Sequence, residues 1–532
     1  MNSKTWTRII AMTSLAALAI PAQVAAQDKQ QHQHKFHHYQ LVDVGTFGGP
    51  ESYINPPFTF GSHNQINRRG VAVGGSGTSI PTTPTSDLFV CGGLDGIVPF
   101  VNHAFVWQEG NVTDLGALPG GDNCSVATSI NERGEIVGTS ENGLIDPAVG
   151  VTQIRAVLWK NGQIRDLGTL GGNGSAADAI NSRGQVVGFA FNAIPDPLSY
   201  VYFGLAGSTA GTQTRAYLWE NGAMQDLGTL GGPDAAALFV NERGQVAGLS
   251  YTNSTVNPVT GLPTIHPFVW TRENGMKDLG SLGGTLGSVN CSCSGFNNRG
   301  QLVGLSDLEG DQTAHPFLWD GQKLIDLFTN TIGATPNSAN YITDGGEIVG
   351  NAGFPNGASD AYLWKNGVAI DLGALEGDCS SEAFAINSWT QVVGQSYPCS
   401  SNTQRAFLWE NGSIVDLNTL MPPRSSLLLV WPMAINDREE IAGVGLPAGC
   451  DGFDPDAACG HAFLLIPCDE NHPGIEGCDY SMVDASAATI VRPTPRDVSG
   501  NIQPLVHSHR NNRFLLPALA PAWHDQTRGE NQ

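Results

Sequence analysis

The amino-acid sequence predicts an all-β protein, and more specifically a β-propeller of eight four-stranded blades. Three observations lead to this prediction. A set of short motifs recurs eight times, the copies are separated by glycine-rich turns, and the first and last copies are incomplete in complementary ways. The composition agrees, because 66 glycines and only 14% charged residues in 532 suit short strands and tight turns better than helices.

Three signatures recur in fixed order, and successive copies of the first lie 44 to 64 residues apart. The I-N-x-R-G-x-x-V-G type opens at Ile66, Ile130, Ile180, Val240, Phe296, Ile342, Ile386 and Ile435. The H/R-A/P-F/Y-L-W type opens at His103, Arg155, Arg215, His266, His315, Asp360, Arg405 and His461. The D-L-G type opens at Asp43, Asp114, Asp166, Asp226, Asp278, Asp326, Asp371 and Asp416. Such a period is typical of repeat folds.

Each repeat reads as four strands, which we name A to D. Strand A ends at the "IN" of the first signature, and N-x-R-G makes a tight turn into an apolar, β-branched strand B such as "QVVGFAF" at residues 185–191. The aromatic signature is strand C, and an Asn-Gly hairpin turn leads into strand D. This order predicts a propeller blade. A parallel β-helix is the alternative, but its coils are usually shorter and lack two hairpin turns each.

The two ends predict a closed ring. The first motif, "YQLVDVGTFGG" at residues 39–49, is a strand D without a preceding strand C, and "HAFLLIPC" at residues 461–468 is a strand C without a following strand D. Pairing residues 39–45 with residues 461–465 completes the eighth blade and removes the exposed sheet edges of an open array.

The recurring "HAFLW…NG…DLG…IN.RGQVVG" resembles the extracellular HAF-repeat family, whose His-Ala-Phe stands here at His103 and His461. The resemblance covers residues 39–468 and implies a propeller-like repeat fold without implying a reaction. Several copies depart from the pattern, with Arg or Asp in place of the His and Thr343-Asp344-Gly345 in place of the usual turn.

The segments outside the repeats are expected to be a signal peptide and irregular chain. Residues 1–26 combine Lys4 and Arg8, a short apolar run and a small-residue cleavage site, as in a secretory signal peptide. Residues 27–38 form a His-rich flexible leader, the propeller spans 39–468, and residues 469–532 form a Pro-rich, partly disordered tail. We therefore expect a secreted monomer, periplasmic or extracellular, without a membrane span.

The ten cysteines lie outside the repeated strand motifs and fall as sequence neighbours, which favours local disulfides in an oxidising compartment. The spacing does not fix their connectivity, and zinc is a weaker alternative without a C-x-x-C pair. The candidate disulfide residues are Cys91, Cys124, Cys291, Cys293, Cys379, Cys399, Cys450, Cys459, Cys468 and Cys478.

The repeated carboxylates and histidines predict a structural role. Eight equivalent aspartates cannot all serve one site, so we expect them to bond backbone amides at the D–A corner or to pair with the His or Arg that opens strand C. Asp360 breaks this pattern and needs another partner. We expect no metal ion and no cofactor, because the equivalents of the four blade histidines elsewhere are Arg or Asp.

Function is expected in the parts that are not repeated. A net charge of −23 argues against nucleic-acid binding, and no G-x-S-x-G, H-E-x-x-H or P-loop motif occurs. The long insertions are mostly B–C loops, which emerge on one face. Aromatic candidates for ligand contact there are Tyr200, Tyr202, Phe203 and Trp431, although each could instead pack against neighbouring loops.

The leading hypothesis is a secreted scaffold that binds an extracellular polysaccharide or surface protein through its B–C loops. The alternative is an extracellular polysaccharide hydrolase or lyase with loop-borne carboxylates, and an inert matrix component is the third possibility. The sequence leaves open whether the protein is an enzyme and names no catalytic residue.

Overall fold

The computed structural model describes residues 35–54, 64–91, 100–147, 150–196, 199, 211–289, 294–328, 335–354, 359–399, 403–450 and 459–484. In these residues the chain is all-β and propeller-like, apart from one turn of α-helix and one 3-10 turn. We number the strands in chain order and group them into repeat units 1 to 8, each with strands A to D.

Strands β1 and β2, Lys35–His37 and Tyr39–Asp43, precede the first unit. Units 1 and 2 comprise β3 (Gly48–Tyr53), β4 (Ala72–Pro81), β5 (Phe100–Gln108) and β6 (Asn111–Asp114), then β7 (Ser125–Ile130), β8 (Ile136–Ile145), β9 (Thr152–Lys160) and β10 (Gln163–Asp166). Helix α1 (Leu88–Cys91) lies between β4 and β5. Units 3 and 4 comprise β11 (Ser175–Ile180), β12 (Val186–Pro195), β13 (Thr212–Glu220) and β14 (Ala223–Asp226), then β15 (Ala235–Val240), β16 (Val246–Val256), β17 (Pro263–Thr271) and β18 (Gly275–Asp278).

In units 5 and 6 strand A is split into two short pieces. These units comprise β19 (Gly283–Ser288), β20 (Gly295–Phe296), β21 (Leu302–Leu308), β22 (Ala314–Trp319) and β23 (Leu324–Asp326), then β24 (Thr335–Pro336), β25 (Tyr341–Ile342), β26 (Ile348–Gly353), β27 (Ser359–Lys365) and β28 (Val368–Gly373). Unit 7 comprises β29 (Asp378–Ile386), β30 (Val392–Pro398), β31 (Arg405–Glu410) and β32 (Ser413–Asp416), followed by the 3-10 turn Leu417–Leu420. Unit 8 comprises β33 (Leu427–Ile435), β34 (Ile441–Pro447) and β35 (His461–Pro467), and β36 (Met482–Asp484) follows it.

The strands of each unit pair in antiparallel order, as the predicted meander requires. Four of the units are separate four-stranded sheets, while units 4 and 5 share one nine-stranded sheet and units 6 and 7 share another. A single parallel pair makes each junction, Ile265 with Leu286 and Ser359 with Ser380, because the segment leading into strand A runs beside strand C of the preceding unit. Strand A is innermost, and β7, β11 and β15 are buried along their whole length.

The predicted pairing of the two ends is confirmed. Strand β2 pairs antiparallel with β35, from Tyr39 opposite Pro467 to Asp43 opposite Phe463, and supplies strand D of unit 8. A second pairing was not predicted: β1 pairs with β36, so strands lie within both segments expected to be irregular. Within the described residues, no helix is long and apolar enough to cross a bilayer.

Side-chain amides of the A–B turns connect consecutive units. In the I-N-x-R-G turn, the Asn side chain donates to the backbone carbonyl at the same position of the next unit, over 2.8–3.2 Å. The donor and acceptor pairs are Asn67 to Asn131, Asn131 to Asn181, Asn181 to Asn241, Asn241 to Asn297, Asn297 to Thr343, Asn387 to Asn436, and Asn436 to Asn67. The series therefore returns to unit 1, with a break only where Thr343 replaces Asn.

The D-L-G aspartates have the structural role that the sequence predicts. Each accepts a hydrogen bond from the backbone N–H two residues later; these donors are Gly45, Gly116, Gly168, Gly228, Gly280, Phe328, Gly373 and Asn418. Seven also pair with the His or Arg that opens strand C. The pairs are His103–Asp114, Arg155–Asp166, Arg215–Asp226, His266–Asp278, His315–Asp326, Arg405–Asp416 and His461–Asp43.

Unit 6 shows what the cation contributes. There Asp360 replaces the His or Arg, and burial raises the pKa of Asp371 although Gly373 N–H still bonds to it. At Asp114 and Asp278 burial acts in the same direction, but the hydrogen bonds from the histidine and the glycine outweigh it and lower the pKa. The hydrogen bond from the histidine therefore favours the ionised form of Asp114 and of Asp278.

Candidate functional site

Within the described residues, the longest B strands belong to the B–C hairpins of units 1 to 4, on the loop face, which we define as the side where the B–C and D–A connections emerge. Strands β4, β8, β12 and β16 have 10 or 11 residues, and their last residues are exposed. The corresponding strands of units 5 to 8 have only 6 or 7 residues. The hairpins therefore project beyond the buried body on one half of this face.

The unit 1 connection is anchored to unit 2 by a buried carboxylate and a disulfide. Glu141 accepts hydrogen bonds from the backbone N–H groups of Asp87 (2.7 Å) and Cys124 (2.8 Å). Cys91, at the end of α1, is bonded to Cys124. Burial raises the pKa of Glu141, and the two N–H donors oppose that shift. Glu141 thus holds the unit 1 loop against unit 2 through these two hydrogen bonds.

Two carboxyl groups meet where the unit 3 hairpin reaches unit 4. Asp234 is fully buried and Asp196 is 6% exposed. Asp234 accepts a hydrogen bond from Thr214 N–H at 2.7 Å. Burial, together with the charge of Asp196 and a hydrogen bond to it, raises the pKa of Asp234 to about 8. The surroundings of Asp234 therefore favour its protonated form.

The next hairpin also has a polar pair at its base, although its second member comes from the B–C turn of unit 5 and not from the start of strand A. Asn257, which occupies the position of Asp196, donates to Asp311 at 2.9 Å and to the hydroxyl of Thr285 at 2.8 Å. Asp311 also accepts from Thr285 N–H. The hairpins of units 3 and 4 therefore each contact the following unit through a polar pair at their base, and the pair at unit 3 consists of two acids.

Aliphatic side chains are exposed along the projecting hairpins. They occur in four consecutive units at or near the end of strand B, and we call them the aliphatic ridge: Ile80, Leu144, Ile145, Ile194, Val256 and Val259. Leu144 and Val259 are 60% and 59% exposed. Exposure of aliphatic side chains to water is energetically unfavourable, so a row of them indicates a surface suited to contact with another apolar surface.

The predicted aromatic candidates are not brought together by the described structure. Tyr200, Tyr202 and Phe203 lie outside the described residues, so their role stays a prediction. Trp431 lies within β33, is half-buried and packs against the apolar core, rather than standing in a loop. The sequence interpretation placed it with loop aromatics because it breaks the repeat, but a strand A residue can break the repeat and still pack inward.

Four of the predicted disulfides are present: Cys91–Cys124, Cys379–Cys399, Cys450–Cys459 and Cys468–Cys478. Cys291 and Cys293 lie outside the described residues. One group with metal-ligand spacing occurs in the described chain, formed by Cys91, Cys124 and Glu141. It does not fit a metal ion, because the two sulfurs are bonded to each other and the carboxylate is occupied by backbone donors.

Three features were missed by reasoning from the sequence. The pair of Asp196 and Asp234 joins different units, and only a structural alignment of Asp196 with Asn257 reveals it. His472 lies in the predicted tail, yet it is buried between Asp469 and Glu440. Trp389 replaces the repeated Arg of an A–B turn and is 69% exposed. That last substitution was visible in the repeat pattern.

No protein-family model matches the chain, and no curated protein matches it. Among solved structures, a puromycin-hydrolyzing peptidase of Mycobacterium tuberculosis is 13% identical with a TM-score of 0.29, and the match covers 67% of this chain and 61% of the peptidase. An ulvan lyase of a polysaccharide lyase family is 10% identical with a TM-score of 0.33, over 72% of this chain and 100% of the lyase. The Aleuria aurantia lectin is 12% identical with a TM-score of 0.25, over 61% of this chain and 96% of the lectin.

These similarities carry no argument about function, since every TM-score is well below 0.5. The chain spans less than two thirds of the length of the peptidase it matches. The functional interpretation therefore rests on the residues of this chain.

Proposed function

We propose that the protein is a secreted, closed eight-bladed propeller of the HAF-repeat type that acts as a binding or adhesion scaffold through its loop face. The pairing of β2 with β35 and the return of the turn hydrogen bonds to Asn67 support closure. Four disulfides support an oxidising compartment, outside the cytoplasm. A monomer is sufficient for this role.

The aliphatic ridge is the observation that carries the proposal. Its members project from hairpins whose bases are held by Glu141, the Asp196–Asp234 pair and Asp311, so the exposed side chains are presented on a fixed support. Aliphatic groups bind best to another apolar surface, whereas sugars are usually bound by aromatic faces and polar groups. The ridge therefore favours a protein partner over a polysaccharide.

The charge of the chain specifies the partner further. At a net charge of −23, long-range attraction favours a partner with basic residues around its contact surface. The proposed occupant of the ridge is an extracellular protein whose contact surface is apolar at its centre and basic at its rim.

The test compares two matched variants of the mature protein in pull-downs from the extracellular fraction of the source organism. Leu144→Ser/Ile145→Ser/Ile194→Ser removes the centre of the ridge, while Val368→Ser changes an equally exposed residue on an outer strand. A partner retained by wild type and by V368S, but lost from the ridge variant, supports the proposal. Equal retention by all three proteins contradicts it.

An extracellular polysaccharide hydrolase or lyase is the second candidate function. The observation in its favour is the pair of Asp196 and Asp234 on the loop face, in which the pKa of Asp234 is raised to about 8. Both groups are buried, however, and they resemble the structural Asn257–Asp311 pair. Release of soluble sugar ends from a polysaccharide panel by wild type, but not by Asp234→Asn, would establish the enzyme and replace the scaffold proposal.

A further inference from the structure

The A–B turn of unit 7 presents the most exposed tryptophan of the described chain. Trp389 is 69% exposed and follows Asn387 by two residues. In the other units this turn position holds an arginine, except in unit 6, where it is Gly345; the arginines are Arg69, Arg133, Arg183, Arg243, Arg299 and Arg438. Trp389 is thus a single aromatic substitution in a conserved structural position of the repeat, on the face opposite the loops.

The arginines show what normally covers this face. The guanidinium of Arg133 reaches over the turn of unit 3, so that a Cβ at Gly184 would collide with it. Arg69, Arg183 and Arg299 lie over the turn glycines of the following units in the same way. Because unit 6 has Gly345 at this position, no equivalent arginine side chain extends from unit 6 over the turn of Trp389. The series of arginines is therefore interrupted beside the indole.

The indole is held in place at its edge. Trp389 Nε1 donates to the backbone carbonyl of Asp437 at 3.0 Å, and Trp389 N–H donates to Asn387 at 3.1 Å. The carboxylate of Asp437 accepts from Ser388 N–H at 2.9 Å and lies 3.9 Å from Arg68 Nε. The side chain of Arg68 is 68% exposed. An oriented aromatic face and an exposed guanidinium thus flank one aspartate.

We propose that Trp389 and Arg68 form a saccharide-binding subsite, in which a pyranose ring stacks on the indole and its oxygens accept hydrogen bonds from the guanidinium. A sugar has an apolar ring face and polar edges, and this site offers an aromatic face among polar neighbours. An apolar protein anchor would instead need an apolar surround, but the adjoining turn residues are Ser388, Thr390 and Asp437. Because the indole N–H is already hydrogen-bonded to Asp437, the side chain of Trp389 loses little conformational entropy when a ligand binds.

This site lies on the face opposite the aliphatic ridge, so it adds a second binding activity to the proposed scaffold and does not depend on it. A protein held on the loop face and a saccharide held on the turn face would be joined through one rigid body. Loss of either activity leaves the other measurable.

The experiment is affinity electrophoresis of the mature protein in gels containing xylan, mixed-linkage β-glucan, galactan or polygalacturonate, followed by titration with oligosaccharides of the polymer that retards it. Trp389→Ala should weaken binding about tenfold, Trp389→Phe should restore most of it, and Arg68→Gln should weaken it by several fold. Arg183→Gln, at the Trp389-equivalent position of unit 3, should bind as wild type. Blue-shifted tryptophan emission on binding, absent in W389A, should accompany these changes.

The outcomes that overturn the proposal are equally defined. The proposal is wrong if none of the four polymers retards the wild-type protein. It is also wrong if W389A binds the polymer with the same affinity as wild type. Trp389 is exposed and contacts the protein at its edge, so W389A should keep the circular dichroism spectrum and melting temperature of wild type. If W389A is destabilised, the test is the affinity of W389F and R68Q for the polymer, compared with that of R183Q.

Discussion

Nδ1 of His461 lies 3.0 Å from a carboxylate oxygen of Asp43, although 418 residues separate them along the chain. The same pair occurs within one hairpin in unit 1, where His103 and Asp114 are 2.9 Å apart. A repeated local contact thus becomes the contact between the two ends of the propeller-like body. The effect of this pair on the contact between the two ends can therefore be measured separately from its effect within a single unit.

Replacing His461 with Gln should loosen the attachment of β2, whereas His103→Gln should leave β2 unchanged. Each pair is partly exposed, so either variant should lose no more than about 1 kcal/mol of global stability. Amide hydrogen exchange of residues 39–43 should become faster in H461Q alone, because strand β2 is attached by sequence-distant contacts. Equal exchange in both variants would contradict a specific role in closure.

The pair of His461 and Asp43 should also give a defined response to acid. Burial raises the pKa of Asp43, but the hydrogen bonds from His461 and Gly45 outweigh it and lower the pKa overall. An acid whose pKa is depressed in the folded state stabilises the fold above its unfolded-state pKa and loses that effect as the pH falls through the folded value. Asp43→Asn should therefore have a lower melting temperature than wild type at neutral pH. The two melting temperatures should converge as the pH falls to about 2.

The amide of Asn436 should contribute more than the exposed ion pair, because three of its four hydrogen bonds are buried. Its Nδ2 donates to Asn67 O at 3.0 Å and to Glu440, while its Oδ1 accepts from Arg438 N–H and Glu440 N–H. Asn436→Ala removes these bonds, takes the acceptor from the buried Glu440 N–H and should cost about 2–3 kcal/mol in urea unfolding.

Asn436→Thr is the matched control for that variant. Thr343 occupies the same position in unit 6 and accepts from Glu347 N–H at 3.1 Å, so threonine keeps part of the bonding. N436T should therefore be clearly more stable than N436A. If the two are equal, the inter-unit bond to Asn67 rather than the local turn carries the whole effect.

The parts of the structure that could be predicted from sequence are those set by the repeat. The glycine turns, the apolar alternation and the incomplete end motifs each have one good structural solution, and the roles of Asp43 and His461 follow from them. Contacts between units are different, because they depend on which side chains face each other across a blade boundary. Asp196 and Asp234 are 38 residues apart in the chain, and no local pattern links them.

The same distinction explains the candidate sites. The loop face was predicted from insertion lengths, but the ridge of exposed aliphatic residues requires knowledge of where strand B leaves the core. Trp389 was visible as a departure from the turn motif, yet its importance depends on Gly345 in the preceding unit. His472 follows the last repeat, where no periodicity constrains the chain.

The carboxyl pair of the loop face should make the protein more stable in mild acid. Burial and the neighbouring Asp196 raise the pKa of Asp234 to about 8. A carboxyl with a raised folded-state pKa is bound to its proton more tightly in the folded protein, so stability should fall as the pH rises from about 4 to about 8.

Asp196→Asn tests this dependence by making an Asn–Asp pair, as Asn257 of unit 4 makes with Asp311 of unit 5. The new amide should donate to ionised Asp234, as Asn257 donates to Asp311. D196N should therefore raise the melting temperature at pH 8 and flatten the pH profile. A profile that stays as steep as that of wild type would show that another group titrates there.

His472 attaches the chain after the last repeat to unit 8. Its ring nitrogens lie 2.7 Å from Asp469 and 3.3 Å from Glu440, within the segment closed by the Cys468–Cys478 disulfide. In unit 2 the residue equivalent to Glu440 is Glu135, which pairs with Lys160 from its own strand C. In unit 8 the C-terminal segment thus supplies a cation where strand C supplies a lysine in units 2 and 6, in addition to Arg438 of the turn itself.

This exchange of a lysine for a histidine should make the attachment sensitive to pH near neutrality. Burial lowers the pKa of His472, but the hydrogen bonds and charges of Glu440 and Asp469 outweigh it and raise the pKa overall. The stabilisation is therefore complete below the unfolded-state pKa and is lost as the pH rises through the folded value. His472→Gln should destabilise the protein at pH 6 by about 1–3 kcal/mol and less at pH 8.

Lys160→Met is the matched control, because it removes the equivalent cation from unit 2, which is an ammonium group and not an imidazole. K160M should therefore lower stability equally at both values, while H472Q should lower it mainly at pH 6. Hydrogen exchange at residues 482–484 should increase in H472Q alone, since β36 follows directly from the segment that His472 holds. A pH-independent loss in H472Q would show that the histidine acts only by packing.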